Sequence, residues 1–161
     1  NKDSIRFMML NRGNDVEIDF DFDKVLEKNK DNPVFYVQYS YARINSLFKS
    51  AKINLDEKIN LSLDKFKPNL FEYKLLRKIS EWPKVVDLAS KKLEPHRIPF
   101  YLYELATIFH SYWSKGNEVE TYKFILNERI NNYLSFKIFQ LISAILENSM
   151  NILGVSLPKK M

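Results

Sequence analysis

From Val34 to Phe48 the apolar residues Val34, Val37, Tyr41, Ile44 and Phe48 recur at intervals of three and four. At 100° per residue they fall on one stripe, which predicts a helix near 33–50 lying on a core, with Asp31 as its N-cap and Pro33 in its first turn. Tyr36, Tyr39 and Arg43 fall on roughly the opposite side. Two readings of that second face stand open. A helix in the middle of a bundle is covered on two sides, or the face is kept for a ligand.

The same periodicity continues almost to the end of the chain. It predicts helices near 56–64, 69–81, 83–93, 97–114 and about 128–152, with 118–126 helical as well. Asn69 is a natural N-cap for LFEYKLLRKIS, and Pro83 suits the first turn of KVVDLASKKL. Within the helix at 97–114, Leu102, Leu105, Phe109 and Tyr112 make the core stripe. Residues 3–12, DSIRFMMLNR, predict a short amphipathic helix stopped at Gly13. Residues 16–23, VEIDFDFD, instead alternate strictly, which predicts an extended segment with Val16, Ile18, Phe20 and Phe22 on one side. Asp19, Asp21 and Asp23 then line a solvated edge. They are followed by neither the glycine nor the closing glutamate of a calcium loop. Asp23 caps a short helix over DKVLEKN. The fold class expected is all-α, a helical bundle with a short non-helical N-terminal segment.

Composition narrows this picture. In 161 residues, 45% hydrophobic and 28% charged, there are three glycines, six prolines and no cysteine. One domain is the default at this length. So few glycines leave little material for phosphate loops or tight hairpins. Without cysteine there is neither a disulfide framework nor a Cys-type zinc site. No run of about 18 apolar residues suggests a membrane span, and NKDSIRF lacks the apolar stretch of a signal peptide. A soluble, cytoplasmic, monomeric chain is expected. It begins with Asn rather than Met, which suggests a start inside a longer protein. The formal charge of +5 and pI of about 9.2 suit an anionic partner without requiring one.

Catalytic constellations are missing from the sequence. His96 and His110 have no cysteine partner and no HExxH spacing, and neither GxSxG, a P-loop nor GxGxxG occurs. Glu118 and Glu120 read as a solvated helix start. No catalytic, cofactor-binding or metal-binding residue is expected. Aromatic content of 14% remains. One group is Tyr36 and Tyr39 with Arg43; another is Tyr112 and Trp113, just before SKGN. Rings beside positive charge suit the stacking of unpaired bases, worth about 1–3 kcal/mol per base.

Three stretches carry a resemblance: DNPVFYVQYSYARI, PHRIPFYLYELATIFHSYW and the closing NILGVSLPKKM. In this order they resemble the C-terminal part of the class I arginine–tRNA ligases, the arginyl-tRNA synthetases. There the first commonly reads DNPVYYVQYAHARI, the second holds a YLYELA-type core and the last reads LLGVSAPERM or similar. Ser40 and Tyr41 stand where that family usually has Ala and His. DSIRFMML and VEIDFDFDKV fit the closing stretch of the catalytic part, so the likeness runs over essentially the whole chain.

The resemblance implies a helical bundle of the DALR anticodon-binding type over 31–161, preceded over 1–30 by the end of the catalytic part. It implies a full enzyme that joins arginine to tRNA with ATP and magnesium, through HIGH and KMSK motifs absent here. This portion then grips the anticodon loop of an arginine tRNA, its other partner being the catalytic domain of the same chain. Carried over by position, Tyr36 and Tyr39, on either side of the VQ step, match tyrosines that face the loop. Lys30, Asp31 and Asn32 match a segment that moves on tRNA binding. Trp113, or its neighbour Tyr112, stands where the family sets an aromatic against a base, and Met161 matches a terminal methionine near the same loop. Arg43 is added from helix geometry, because it shares the tyrosine face and suits a phosphate or a base. The competing class is a helical protein-interaction module derived from a synthetase.

Overall fold

The computed structural model describes residues 2–13, 16, 27, 29, 31–60 and 67–161. Among them are six α-helices: α1 (Lys2–Leu10), α2 (Pro33–Ser50), α3 (Leu70–Ser80), α4 (Trp82–Lys92), α5 (Arg97–Glu118) and α6 (Tyr133–Leu153). A 3₁₀ turn over Glu120–Tyr122 and a hairpin of two short antiparallel strands, β1 (Ile125–Leu126) and β2 (Arg129–Ile130), connect α5 to α6. The all-α bundle expected from periodicity is the fold. The proposed extended stretch over 16–23 and the helix over DKVLEKN fall largely outside the described residues.

α5 is the axis of the bundle, packing against α2, α3, α4 and α6. Its predicted stripe, Leu102, Leu105, Phe109 and Tyr112, is wholly buried. The stripe of α2 is buried too, from Val34 to Phe48, and meets Phe7 of α1 and Phe136 and Phe139 of α6 in one core. Aromatic rings interlock at its centre, with Phe109, Phe124 and Tyr112 all edge-on to or tilted against Phe139. Each such fully buried side chain contributes about 1.5–3 kcal/mol relative to exposure.

Helix starts follow local chemistry. Asn69 caps α3 in a reciprocal box: its side chain accepts from the amides of Phe71 and Glu72, and Glu72 accepts from the Asn69 amide. Pro83 lies in the first turn of α4, as expected. α2 occupies the predicted 33–50, but its cap differs by one position. Asn32, not Asp31, is the N-cap; its Oδ1 accepts from the amide of Phe35, its Nδ2 donates to the Glu27 carbonyl, and Pro33 opens the helix.

Three other expectations are corrected. Residues 56–60 of the proposed 56–64 helix are turn and coil, the rest lying outside the described residues. Gln140 Nε2 donates to the carbonyls of Leu55 and Glu57, at 2.7 and 2.8 Å, and so draws on oxygens that a helix would need for its own amides. The 118–126 stretch is no continuous helix: α5 ends at Glu118, Glu120–Tyr122 is a single 3₁₀ turn, and Ile125–Leu126 is β1, whose hairpin turns at Asn127 and Glu128 with positive φ, 50° and 61°. The last helix accordingly starts at Tyr133 rather than 128, with Asn132 as its N-cap accepting from the Ser135 amide. Gly116 permits this connection: a Cβ there would lie 2.8 Å from the Phe124 ring, which packs in its place.

After α6, Gly154 at φ 64° ends the helix and reverses the chain. The last residues then run back across α2. Arg6 Nη1 of α1 donates to the Gly154 carbonyl at 3.0 Å, Ser156 Oγ donates to the Asp3 carboxylate, and Gln38 Nε2 donates to the Ser156 carbonyl at 2.8 Å. This path brings Lys159, Lys160 and Met161 beside the second half of α2.

Candidate nucleic-acid interface

The second face of α2 is partly covered. Tyr36 lies against Tyr103 and His110 of α5, with ring centroids 5.5 and 4.3 Å away. Burial and, after it, Tyr103 push its phenol above the usual pKa. Ser40, one turn on, is fully buried. Further along, Tyr39 and Arg43 still touch His110 of α5, are half-buried like Tyr36, and in addition border an open cleft. Of the two readings the sequence left open for this face, cover by a neighbouring helix holds at Tyr36.

The cleft, of about 720 Å³, lies between α2, Trp113 of α5 and the chain after α6. Tyr39, Arg43, Trp113 and Met161 line it, four of the seven candidate residues, brought from three places in the sequence. The guanidinium carbon of Arg43 is 4.2 Å from the centroid of the Tyr39 ring and 5.4 Å from that of Trp113. That is cation–π geometry on both rings. Trp113 is backed by Phe109 and Phe124, each 5.7 Å away, so its position is set by the core. Lys49, Lys159 and Lys160 complete the wall. The lining thus holds four cationic side chains and no acidic side chain.

The three lysines were not singled out from the sequence. Lys159 and Lys160 stand in the PKKM ending, but nothing in the chain's periodicity indicates that the last residues fold back on α2. By contrast, Lys78 of α3 is already paired, donating to both Glu81 and Glu104.

The remaining candidates do not reach the cleft. Asn32 is buried as the N-cap of α2. Tyr36 sits behind the cleft, against α5. Tyr112 is entirely buried, stacked 5.3 Å from Phe71, and no base reaches its ring in this fold. Its hydroxyl lies 2.8 Å from Ser135 Oγ and 3.2 Å from the Glu72 carboxylate, and accepts from Asn69 Nδ2 at 2.9 Å. Burial pushes that phenol up to about 12. Of the adjacent pair, only Trp113 stands at the surface of the cleft.

His110, which the sequence suggested to be a partly buried, hydrogen-bonded side chain, is 6% exposed between α5 and α2. Its Nδ1 is 2.9 Å from Arg43 Nη1, and its Nε2 is 3.1 Å from the Tyr36 carbonyl and 3.0 Å from Ser40 Oγ. Burial lowers its pKa to about 4, opposed by the bond to the Tyr36 carbonyl and assisted by the Arg43 charge.

The model of the DALR anticodon binding domain matches residues 37–161, more than three quarters of the chain. The chain belongs to that family. An arginine–tRNA ligase of Pelagibacter ubique is 48% identical over 160 residues, and one of Roseobacter denitrificans is 39% identical over 166. Each alignment takes in 99% of this chain and 28% of the relative, so the chain spans little more than a quarter of the length of these curated proteins. A Campylobacter jejuni chain solved under the name of an arginyl-tRNA synthetase superposes with a TM-score of 0.82 at 26% identity, over 99% of this chain and 33% of that one. The DALR bundle is thus the frame of the cleft: α2 supplies one wall with Lys49, α5 supplies Trp113, and the residues after α6 supply Lys159 and Lys160. No helix among the described residues is long and apolar enough to cross a membrane.

Proposed function

We propose that this chain is the anticodon-binding portion of an arginine–tRNA ligase and that the cleft beside α2 takes the unpaired bases of an arginine tRNA's anticodon loop. The observation that carries this reading is the cleft lining: two aromatic rings around one guanidinium, three lysines and no acidic side chain. Single-stranded RNA is held by stacking on aromatic and guanidinium planes together with phosphate contacts, and this lining supplies both. Tyr39 and Trp113 take bases, Arg43 takes a base edge or a phosphate, and Lys49, Lys159 and Lys160 hold backbone phosphates. Met161 closes one end of the cleft.

The complete enzyme, by the same proposal, is a cytoplasmic monomer that joins arginine to tRNA with ATP and magnesium, with residues 31–161 as its anticodon domain and 1–30 as the link to its catalytic part. Among the described residues no group of three or more His, Cys, Asp or Glu is set to hold a metal ion, and the sequence has no phosphate loop. By the same proposal, nucleotide chemistry belongs to the catalytic part.

Titration with a labelled anticodon stem-loop of an arginine tRNA, beside one carrying a changed anticodon, tests the reading. Preferential binding of the arginine loop, weakened by salt through counterion release, is the expected result. Equal binding of both loops, or none at low salt, contradicts it.

A further inference from the structure

Arg43 is the one cation of the cleft that reaches both aromatic rings, yet an arginine side chain has several free rotors and loses its value as a recognition group unless something fixes it. Among the described residues no carboxylate forms an ion pair with it. Its hydrogen-bonding partner is His110, at 2.9 Å.

That contact has one allowed polarity. A guanidinium only donates, so His110 Nδ1 accepts and carries no proton. A neutral imidazole then has its proton on Nε2, which faces the Tyr36 carbonyl, an acceptor only, at 3.1 Å. Ser40 Oγ, 3.0 Å from Nε2, turns its own hydroxyl toward the same carbonyl at 3.3 Å. Both ring nitrogens thus have one-way partners that agree on a single tautomer. Burial of the ring favours the neutral form that this tautomer requires.

We propose that His110 is a positioning residue of the cleft: its Nδ1 holds the guanidinium of Arg43 between Tyr39 and Trp113, while its Nε2–H anchors the ring to the backbone of α2. This rests on the RNA-binding reading above. His110 touches no RNA. It acts through Arg43, leaving the other N–H groups of the guanidinium turned to the ligand. Tyr36 and Tyr39 belong to the same device, since their rings lie 4.3 and 5.7 Å from the imidazole and close it on the α2 side.

Two substitutions separate positioning from mere support of the fold, because each keeps one end of the imidazole. An asparagine amide reaches the place of Nδ1, and a glutamine amide reaches that of Nε2. His110→Asn keeps an acceptor for Arg43 and gives up the Tyr36 carbonyl. His110→Gln keeps the donor to Tyr36 and gives up Arg43.

The experiment uses the 161-residue chain with ¹⁵N-labelled arginine, and each variant is first checked for cooperative thermal unfolding. The Arg43 Nε–H resonance, displaced by the ring currents of Tyr39 and Trp113, is read without RNA. Affinity for the arginine anticodon stem-loop is read separately. The expected result is a displaced resonance and affinity within about twofold of the parent for His110→Asn. For His110→Gln the resonance returns toward that of a free arginine, and affinity falls about tenfold, the loss expected of a charge-assisted hydrogen bond. A His110→Gln chain that keeps both the displaced resonance and the affinity overturns the proposal. So does a folded His110→Asn chain that loses both. Should His110→Gln fail to fold, the Asn variant decides alone. If the unsubstituted chain binds no stem-loop, the RNA reading fails, and the resonances still report whether His110 sets Arg43.

Discussion

Tyr112 and Trp113 are neighbours in the chain and end in opposite kinds of surroundings. Successive residues of a helix point about 100° apart, and that rotation carries one ring into the bundle and the other to its surface. Around Tyr112 everything polar is closed. The Glu72 carboxylate is 2% exposed and accepts from Ser135 Oγ and Asn132 Nδ2 at 2.7 Å, from Tyr112 at 3.2 Å and from the Asn69 amide at 2.8 Å. Those partners sit on α5, α6 and two helix N-caps, so one carboxylate joins three helices. Around Trp113 the polar and aromatic groups are assembled but left open: Arg43 lies over two rings and three lysines face the same space. Both regions combine tyrosine, asparagine and charge. What separates them is whether the hydrogen-bonding capacity is used up inside the fold or kept for something outside it.

The comparison breaks most visibly at Glu72. Replacing Glu72 with Ala leaves Asn132, Ser135, Tyr112 and the Asn69 amide without their shared acceptor, and costs about 3 kcal/mol or more of stability in urea unfolding. RNA affinity per folded molecule stays as it was. A change in affinity without a change in stability reverses the roles assigned to the two regions.

Next in size is an acid effect centred on His110. Its folded pKa of about 4 lies below the ordinary 6.5, so the unfolded chain binds the proton first as pH falls. Stability from this group is complete above about pH 6.5, is lost progressively toward pH 4, and amounts to roughly 3 kcal/mol. Tyr36, Tyr39 and Arg43 are the groups facing the ring. Thermal unfolding followed from pH 7 to pH 5 in the parent chain and in His110→Gln measures it. The variant's curve is flatter; equal slopes contradict the assignment.

The adjacent pair comes third. Tyr112→Phe removes one hydroxyl from the closed network and costs about 1 kcal/mol of stability with no loss of binding. Trp113→Ala removes a stacking surface and costs about 1–3 kcal/mol of RNA affinity. Parallel unfolding and binding curves distinguish the two. The smallest effect is that of Lys159 and Lys160. Their joint replacement by Ala weakens all RNA sequences alike, and lowers the slope of log affinity against log salt by about 1–2.

The bundle was legible because periodicity of 3.6 is written directly into α2 and α5, whose predicted stripes are the buried ones. Asn69 and Pro83 were legible as helix starts for the same local reason. The hairpin after α5 was not, because its turn residues are Asn127 and Glu128, and a glutamate at φ 61° carries no signal that composition can read. Nor was the coil at 55–60, which is held by Gln140 from 83 to 85 residues away. In the site, Tyr39, Arg43, Trp113 and Met161 were identified and do line one cleft. Choosing Trp113 over Tyr112 needed the rotation of α5 against α3 and α6. Asn32 looked like a loop residue because the cap was assigned one position early. Lys159 and Lys160 gained meaning only from the chain reversal at Gly154 and the bond from Gln38, contacts that link residues more than a hundred positions apart.

The central claim is that the cleft beside α2 binds RNA and that its chemistry is separable from the core beneath it. The measurement that tests it most directly is the Tyr39→Ala chain, taken through stem-loop titration and circular dichroism on the same sample. The account predicts an affinity loss of about 1–3 kcal/mol with helical content unchanged. Retained affinity, or loss of the fold along with the ring, would contradict it.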